Sequence, residues 1–389
     1  MSKLNELRSY GQSFWLDFLS RELLEDKNLK KSIKKKGLSG LVSNPAVLKK
    51  AIESSSAYDK IISRSIGKVQ SPEDLYRDVL VADAWQACDL LAPVYRQTDG
   101  HDGYVSLQVS PHFAQDALAT MRQAQQLWNM VGRPNLLIKV PGTRECMPVI
   151  EELLYRGINV NITLLFSLEA YWDAFHAYVH ALERRLQEGL ALKPDCAVAS
   201  FFLSRVDVAV DNLLKHRISK QADAQLHDQV SQLLGQTAIA NARLAYASFR
   251  ALIASERWLR LEKHGARPQR IVWASTETKN PAYSDVNYIE PLIGPYTVST
   301  MSEKTAEAFD DHGVVTASIQ QDRKKAREIM ETLEKLGIYF EVLTRQMVDM
   351  DVQKNIELYD QTIELLSDRI KSGHDTRERS QMNLSAAGR

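Results

Sequence analysis

What most constrains this chain is a rhythm. Eight short runs of strand length, apolar or β-branched, recur between longer stretches of helical periodicity. They are SFWLD (13–17), SGLVSN (39–44), GYVSLQVS (103–110), NLLIKV (135–140), INVNIT (158–163), CAVASFF (196–202), RIVWAS (270–275) and YTVSTM (296–301). Helical periodicity is plainest at 73–92, 112–131, 145–156, 167–188, 204–216, 223–265 and 318–336. Strands separated by helices predict a parallel sheet, because each parallel pair needs a crossover and the crossover covers the sheet. Eight such units point to α/β architecture closed on itself, a single (β/α)8 TIM barrel over residues 1–313, more than to a doubly wound sheet. The charged helical stretch that follows predicts additional C-terminal helices over 314–372, packed on the barrel as cladding. The polar residues 373–389 predict a flexible tail. Ser71-Pro72 and Ser110-Pro111 each place a cap and a first-turn proline where a helix begins.

Charge and composition narrow what such a barrel can meet. Lysine plus arginine number 49 and so do aspartate plus glutamate, for a net charge of +0. No general field for nucleic acid or a membrane surface exists, so an anionic ligand must be met by a local site. Three cysteines (Cys88, Cys146, Cys196) without a CxxC pair support neither a disulfide framework nor a zinc module. The opening residues lack an apolar run and no stretch reaches about 18 apolar residues, so a cytoplasmic protein without a membrane partner is expected.

Side chains alternate along a strand, which lets each run be read face by face. In INVNIT one register is Asn159, Asn161 and Thr163; in GYVSLQVS one is Ser106, Gln108 and Ser110. Helices cover the outer face of a barrel, so these polar registers are predicted to point inward. They can pair with one another or serve a ligand, and the pattern leaves both open. Lys139 in NLLIKVPGT shares the register of Leu137 and is also predicted to face inward, near the carboxyl end of its strand. Desolvation there favours the neutral amine, a nucleophile for carbonyls and the starting point of Schiff-base chemistry; the alternative is a strand-end lysine that snorkels to solvent.

The segments LLIKVPGT and GINVNITLLFS resemble the active-site signature of the transaldolases. GLVSNPAVLKKAI, YVSLQVSP, VASFFLSRVD and WASTETKNPAYSDVNYIEPLIGP fall in the family's order around them, and the resemblance covers about residues 8 to 313. It implies that Lys139 is the Schiff-base lysine and Asp17 the acid/base carboxylate, whose other reading is an N-cap for the next helix. It implies that Asn44 and Asn161 hydrogen-bond the hydroxyls of a bound dihydroxyacetone unit, that Ser200 lies beside it, and that Thr163 helps hold a catalytic water. Arg205 matches a phosphate-binding arginine, whose competing role is an ion pair with Asp207 or another carboxylate; Ser275 and Lys279 would complete the phosphate site. The implied partners are sugar phosphates, in the pentose phosphate pathway, for a monomer or homodimer. No metal or organic cofactor is implied, and the chain carries no HExxH, GxGxxG or GxxxxGK[ST] motif.

The resemblance breaks at particular positions. Gln108 stands where most transaldolases carry a glutamate that activates the water; a glutamine can hold that water but cannot take its proton. The related fructose 6-phosphate aldolases use glutamine there but pair it with a tyrosine where this chain has Phe202. Three outcomes are open: slower transaldolase chemistry through Asp17, an aldolase-like lyase, or a weakly active sugar-phosphate binder. Glu277 stands where a small residue is usual, and its carboxylate either weakens phosphate binding or points to solvent. His176 and His180 lie four apart on a helix, a spacing that suits one metal or simply a solvated face. Cys146 is expected to be a small buried residue. Trp85, Trp128 and Trp172 are expected to pack helices on the barrel.

Overall fold

The computed structural model describes residues 2–65, 69–192, 197–219 and 224–387. All eight expected strands are present: β1 (Gln12–Leu16), β2 (Leu38–Val42), β3 (Tyr104–Gln108), β4 (Leu136–Pro141), β5 (Val160–Leu165), β6 (Ala197–Phe202), β7 (Arg270–Ala274) and β8 (Thr297–Met301). Each pairs in parallel with its neighbour, and β8 closes on β1 through Phe14 opposite Ser299, giving a closed barrel in sequence order. The molecule is a (β/α)8 TIM barrel with additional C-terminal helices.

The alternation read from the sequence sets the two cores. Leu107, Ile138, Val160 and Ile162 join the large apolar layer between strands and helices. Trp15, Tyr104, Leu137, Val198, Val272 and Val298 form a separate plug inside the barrel. Gly40 faces that plug: a Cβ there would lie 2.4 Å from the Trp15 ring, so only glycine lets the indole fill the interior. At the amino end of the barrel the plug rests on a polar floor. Asp102 accepts hydrogen bonds from Trp15 Nε1 (2.8 Å) and from the Ser13 hydroxyl, and Arg270 of β7 lies 3.8 Å from its carboxylate.

Several helix expectations change in detail. Ser71 caps Pro72–Gln97 as expected, accepting from the Asp74 N–H. Ser110-Pro111 opens only a single 3-10 turn, and the helix Ala117–Val131 is capped by Asp116 instead. The stretch 223–265 is three helices, Ala224–Leu233, Thr237–Ile253 and Glu256–Lys263. Gly235 separates the first two, with φ of 68° and an N–H donated to Asp211 at 3.0 Å. Trp85 and Trp172 are exposed, Trp85 beneath the Arg133 guanidinium and Trp172 donating to Ser248. Only Trp128 of the three packs against the core.

The largest correction concerns the C-terminal segment. Arg323–Lys335 packs on the barrel helix Thr237–Ile253, as cladding would. The last helix, Phe340–Ala387, takes in residues 373–387 of the expected tail and does more than clad. Its first turns lie over the carboxyl ends of the strands, where Leu343, Met347 and Met350 form a wall of the central cavity. No helix of the described residues is long and apolar enough to cross a membrane.

Candidate active site

Strand register puts three polar side chains at one level. Lys139 on β4 lies opposite Gln108 on β3 and Asn161 on β5. Lys139 is 8% exposed, and its Nζ has the Ser43 carbonyl at 3.5 Å. Burial pushes its pKa below the ordinary lysine range; the Asp17 carboxylate opposes that shift and the Arg205 guanidinium adds to it. Asp17 directly follows β1, its backbone N–H bonded to the Met301 carbonyl at 2.9 Å. Burial pushes its carboxyl up, against the pull of Lys139, Arg205 and a hydrogen bond from Asn44. Asp17 is not a helix cap; Ser20 caps Arg21–Glu25. One cavity thus holds an amine biased toward its neutral form and a carboxyl biased toward carrying a proton, the pairing that covalent and acid–base chemistry on a carbonyl needs.

The neighbouring strands supply shape and polar contacts. Thr163 on β5 is 3% exposed, and its hydroxyl makes no hydrogen bond among the described residues although it lines the cavity. A buried hydroxyl left without a partner calls for a water or a ligand. The pairing of β5 with β6 is irregular between Ile162 and Leu165, and Leu164 has φ of 63°, so the strand is kinked where Thr163 is aimed. Asn44 caps the helix Pro45–Ser54 through its carbonyl oxygen, leaving its NH2 group toward Asp17.

Asn161 lies deeper than the other predicted contacts. It donates to Ser106 at 2.9 Å and accepts from Ser200 at 2.7 Å, is fully buried, and lies beneath the cavity instead of lining it. Ser200 therefore carries the polar contact into the cavity, with Asn161 behind it. Asn159 ties to the Pro134 and Leu136 carbonyls at the far end of β5, and Ser110 lies past the end of β3.

At the opposite wall the helix Ser204–Ile218 begins at the end of β6. Arg205 sits in its first turn, 5.4 Å from the Phe202 ring, and Phe202 packs on Phe166. Ser275, at φ 56°, holds its hydroxyl 2.8 Å from that of Ser204, and its carbonyl accepts the Ser204 N–H. Arg205, Ser275 and a helix N-terminus converge on one spot, a combination suited to an anion. Lys279 lines the same cavity with half its side chain exposed, 3.2 Å from Glu277. The carboxylate on Arg205 is not Asp207. Asp207 is buried behind, accepting from the Ala238 N–H (2.7 Å) and the Tyr288 hydroxyl (2.8 Å), and burial pushes its pKa up to about 7. Arg205 instead pairs with Asp351 from the last helix.

The cavity encloses about 730 Å³. Of the predicted site residues it brings together Asp17, Asn44, Gln108, Lys139, Thr163, Ser200, Phe202, Arg205, Ser275 and Lys279. Sequence reasoning missed the contribution of the last helix, namely Met347, Met350, Asp351 and Lys354. Their signal was an amphipathic period beyond the eighth strand, with nothing to say which surface it covers. His176 and His180 face solvent beside Arg257 and Glu151, and no group of three metal-ligating side chains occurs among the described residues. Cys146 is fully buried and burial pushes its thiol up, as a packed residue requires.

Fold and cavity together define a (β/α)8 barrel enzyme whose polar centre, a lysine beside a carboxyl, lies at the carboxyl ends of its strands. Comparison with known proteins makes this specific. The chain belongs to the transaldolase/fructose-6-phosphate aldolase family, which it matches over residues 14–366. It is 40% identical to a transaldolase of Trichodesmium erythraeum over 370 residues, covering 95% of this chain and 97% of the relative. Another transaldolase, from Thiobacillus denitrificans, is 40% identical over 91% of this chain and 96% of its own length. A third, Transaldolase 2 of Nostoc punctiforme, is 39% identical over 95% and 97% respectively. The match runs well past residue 313 and takes in the turns of the last helix that wall the cavity. The chain is an enzyme of this transferase family.

Proposed function

We propose that the protein transfers a dihydroxyacetone unit from a ketose phosphate, sedoheptulose 7-phosphate or fructose 6-phosphate, to an aldose phosphate, glyceraldehyde 3-phosphate or erythrose 4-phosphate. The reaction belongs to the non-oxidative pentose phosphate pathway and runs through a Schiff base on Lys139. One observation carries the reading: the Lys139 amine and the Asp17 carboxyl share one buried cavity, each with its charged form disfavoured by burial.

The Lys139 amine adds to the C2 carbonyl and the resulting carbinolamine loses water to an iminium, with Asp17 supplying the proton. Asp17 then takes the proton of the C4 hydroxyl, the C3–C4 bond breaks, its electrons enter the imine to give an enamine, and the aldose phosphate leaves. The enamine carbon attacks the aldehyde of the acceptor, Asp17 returns its proton to the new hydroxyl, and water hydrolyses the imine to free product and amine. Thr163, its hydroxyl without a hydrogen-bond partner among the described residues, and Gln108 hold that water. Asn44 and Ser200 meet the hydroxyls of the three-carbon unit, with Asn161 fixing Ser200, while Phe202 walls the cavity. Arg205, Ser275 and Lys279 take the phosphate. No added cofactor is required, since the imine itself stores the electrons.

The test is turnover of fructose 6-phosphate with and without erythrose 4-phosphate, following glyceraldehyde 3-phosphate. The transferase requires the acceptor and is lost in Lys139→Ala. Glyceraldehyde 3-phosphate formed at full rate without acceptor, with free dihydroxyacetone released, would mark a lyase of the aldolase type, the reading that Gln108 favours.

A further inference from the structure

The cationic wall of the cavity does not present bare cations. Arg205 is paired with Asp351, and Lys279 with Glu277 at 3.2 Å. Both carboxylates line the same cavity as the cations they neutralise. The Arg205 pair is the more telling, because its two members come from distant parts of the chain brought together in the cavity. The Asp351 side chain is 12% exposed and that of Arg205 38%, so the pair is buried on its carboxylate side and screened less than one with both members at the surface. A phosphate dianion entering beside Arg205 meets a guanidinium already paired with an anion. It therefore competes with Asp351 for the same positive charge.

The last helix offers Asp351 somewhere to go. Lys354 lies three residues further along, on the same face and in the same cavity. Met347 and Met350, which flank Asp351 on that wall, are side chains that repack at small cost. On the sugar-phosphate reading above, we propose that Asp351 is a specificity-determining residue, an internal carboxylate that occupies Arg205 until the phosphomonoester of a substrate displaces it. Two consequences follow. The phosphate contributes less to affinity than it would against a bare arginine, which narrows the advantage of phosphorylated over unphosphorylated ketoses. The helix that carries Asp351 loses one of its ties to the barrel whenever the phosphate site is filled, the Arg345–Glu169 and Arg369–Asp59 pairs remaining, and by reciprocity whatever loosens that turn of the helix tightens phosphate binding.

Inorganic phosphate is the probe, titrated by calorimetry into the native enzyme, Asp351→Asn, Arg205→Ala and the double variant. Asp351→Asn is expected to bind phosphate about tenfold tighter, and the gain to vanish in the Arg205→Ala background. The KM for fructose 6-phosphate falls in parallel relative to that for fructose. A purely structural ion pair gives the opposite: Asp351→Asn lowers thermal stability and leaves phosphate affinity unchanged or weaker, which overturns the proposal. Because the variant itself can fold poorly, hydrogen exchange on the native enzyme supplies a second arm. Phosphate is expected to speed amide exchange over residues 343–355, and unchanged or slower exchange there contradicts displacement. Neither readout depends on imine chemistry. If borohydride traps fructose 6-phosphate on Lys139 while phosphate affinity ignores Asp351, this proposal fails and the transaldolase reading stands; if nothing is trapped, that reading fails by itself.

Discussion

Two buried polar clusters sit at opposite ends of one barrel, and they are built on opposite principles. At the amino end, Asp102 is met from several sides, by Trp15, by Ser13, by the Gly103 N–H at 3.1 Å and by Arg270. At the carboxyl end, Lys139 has a long 3.5 Å contact to the Ser43 carbonyl and the charge of Asp17 nearby, and the Thr163 hydroxyl makes no hydrogen bond among the described residues. Both ends bury charge, but the floor encloses its carboxylate in hydrogen bonds while the mouth leaves a buried hydroxyl open to the cavity. A satisfied network adds stability and fixes the fold, whereas an unsatisfied one costs stability and is kept because a substrate completes it. The same strands serve both ends, since period-two alternation carries inward-facing residues from floor to mouth along β1, β3, β4 and β5.

Substitutions can break this contrast or sharpen it. The largest effect is expected at the mouth. Asp17→Asn should lower kcat by roughly 10²- to 10⁴-fold, the range for loss of a positioned acid/base. It should also move a titration. Asp17 raises the pKa of Lys139 against the downward push of burial, and the neutral amine is the nucleophile, so imine formation rises with pH through that pKa. Removing the carboxylate charge shifts this limb to lower pH, read from the pH dependence of borohydride trapping. At the floor, Asp102→Ala strands the Trp15 N–H, while Arg270 keeps the His101 and Thr297 carbonyls, and should cost about 2 kcal/mol in urea unfolding while sparing KM. An intact Tm in Asp102→Ala would erase the distinction between the two ends. Gln108→Glu gives the water a base and should raise kcat by about tenfold, less than the full range for a positioned base because Asp17 already supplies protons to the same site. Smallest of all, Lys139→Met should raise stability by about 1 kcal/mol as activity disappears, since a buried amine gives way to an apolar chain of similar length.

How much of this was legible in the sequence follows from which physics is local. The eight strands were legible because alternation and turn residues act over a few positions, and every one lies within a few residues of its run. Lys139 was legible as inward-facing from its register with Leu137 alone. The division of 223–265 into three helices was not, because Gly235 and Ser255 are tolerable inside a helical pattern and become the two breaks only when Asp211 and a local cap take the freed N–H groups. Asn161 reads as a ligand-facing asparagine until Ser106 and Ser200 are seen on either side of it. Asp351 was invisible for a different reason. Periodicity tells which side of the last helix is apolar but not which surface it meets, so a carboxylate some 150 residues after Arg205 gave no sign of pairing with it. Trp85 and Trp172 show the reverse error, aromatic bulk read as core when an arginine and a serine satisfy it at the surface.

The central claim is that Lys139 is the nucleophile, and covalent trapping tests it most directly. The native enzyme is incubated with fructose 6-phosphate, reduced with borohydride, digested and mapped by mass spectrometry. The account predicts one reduced three-carbon adduct, on Lys139, absent without substrate and absent in Lys139→Met. An adduct on any other lysine, or none at all while glyceraldehyde 3-phosphate is still released, would contradict it.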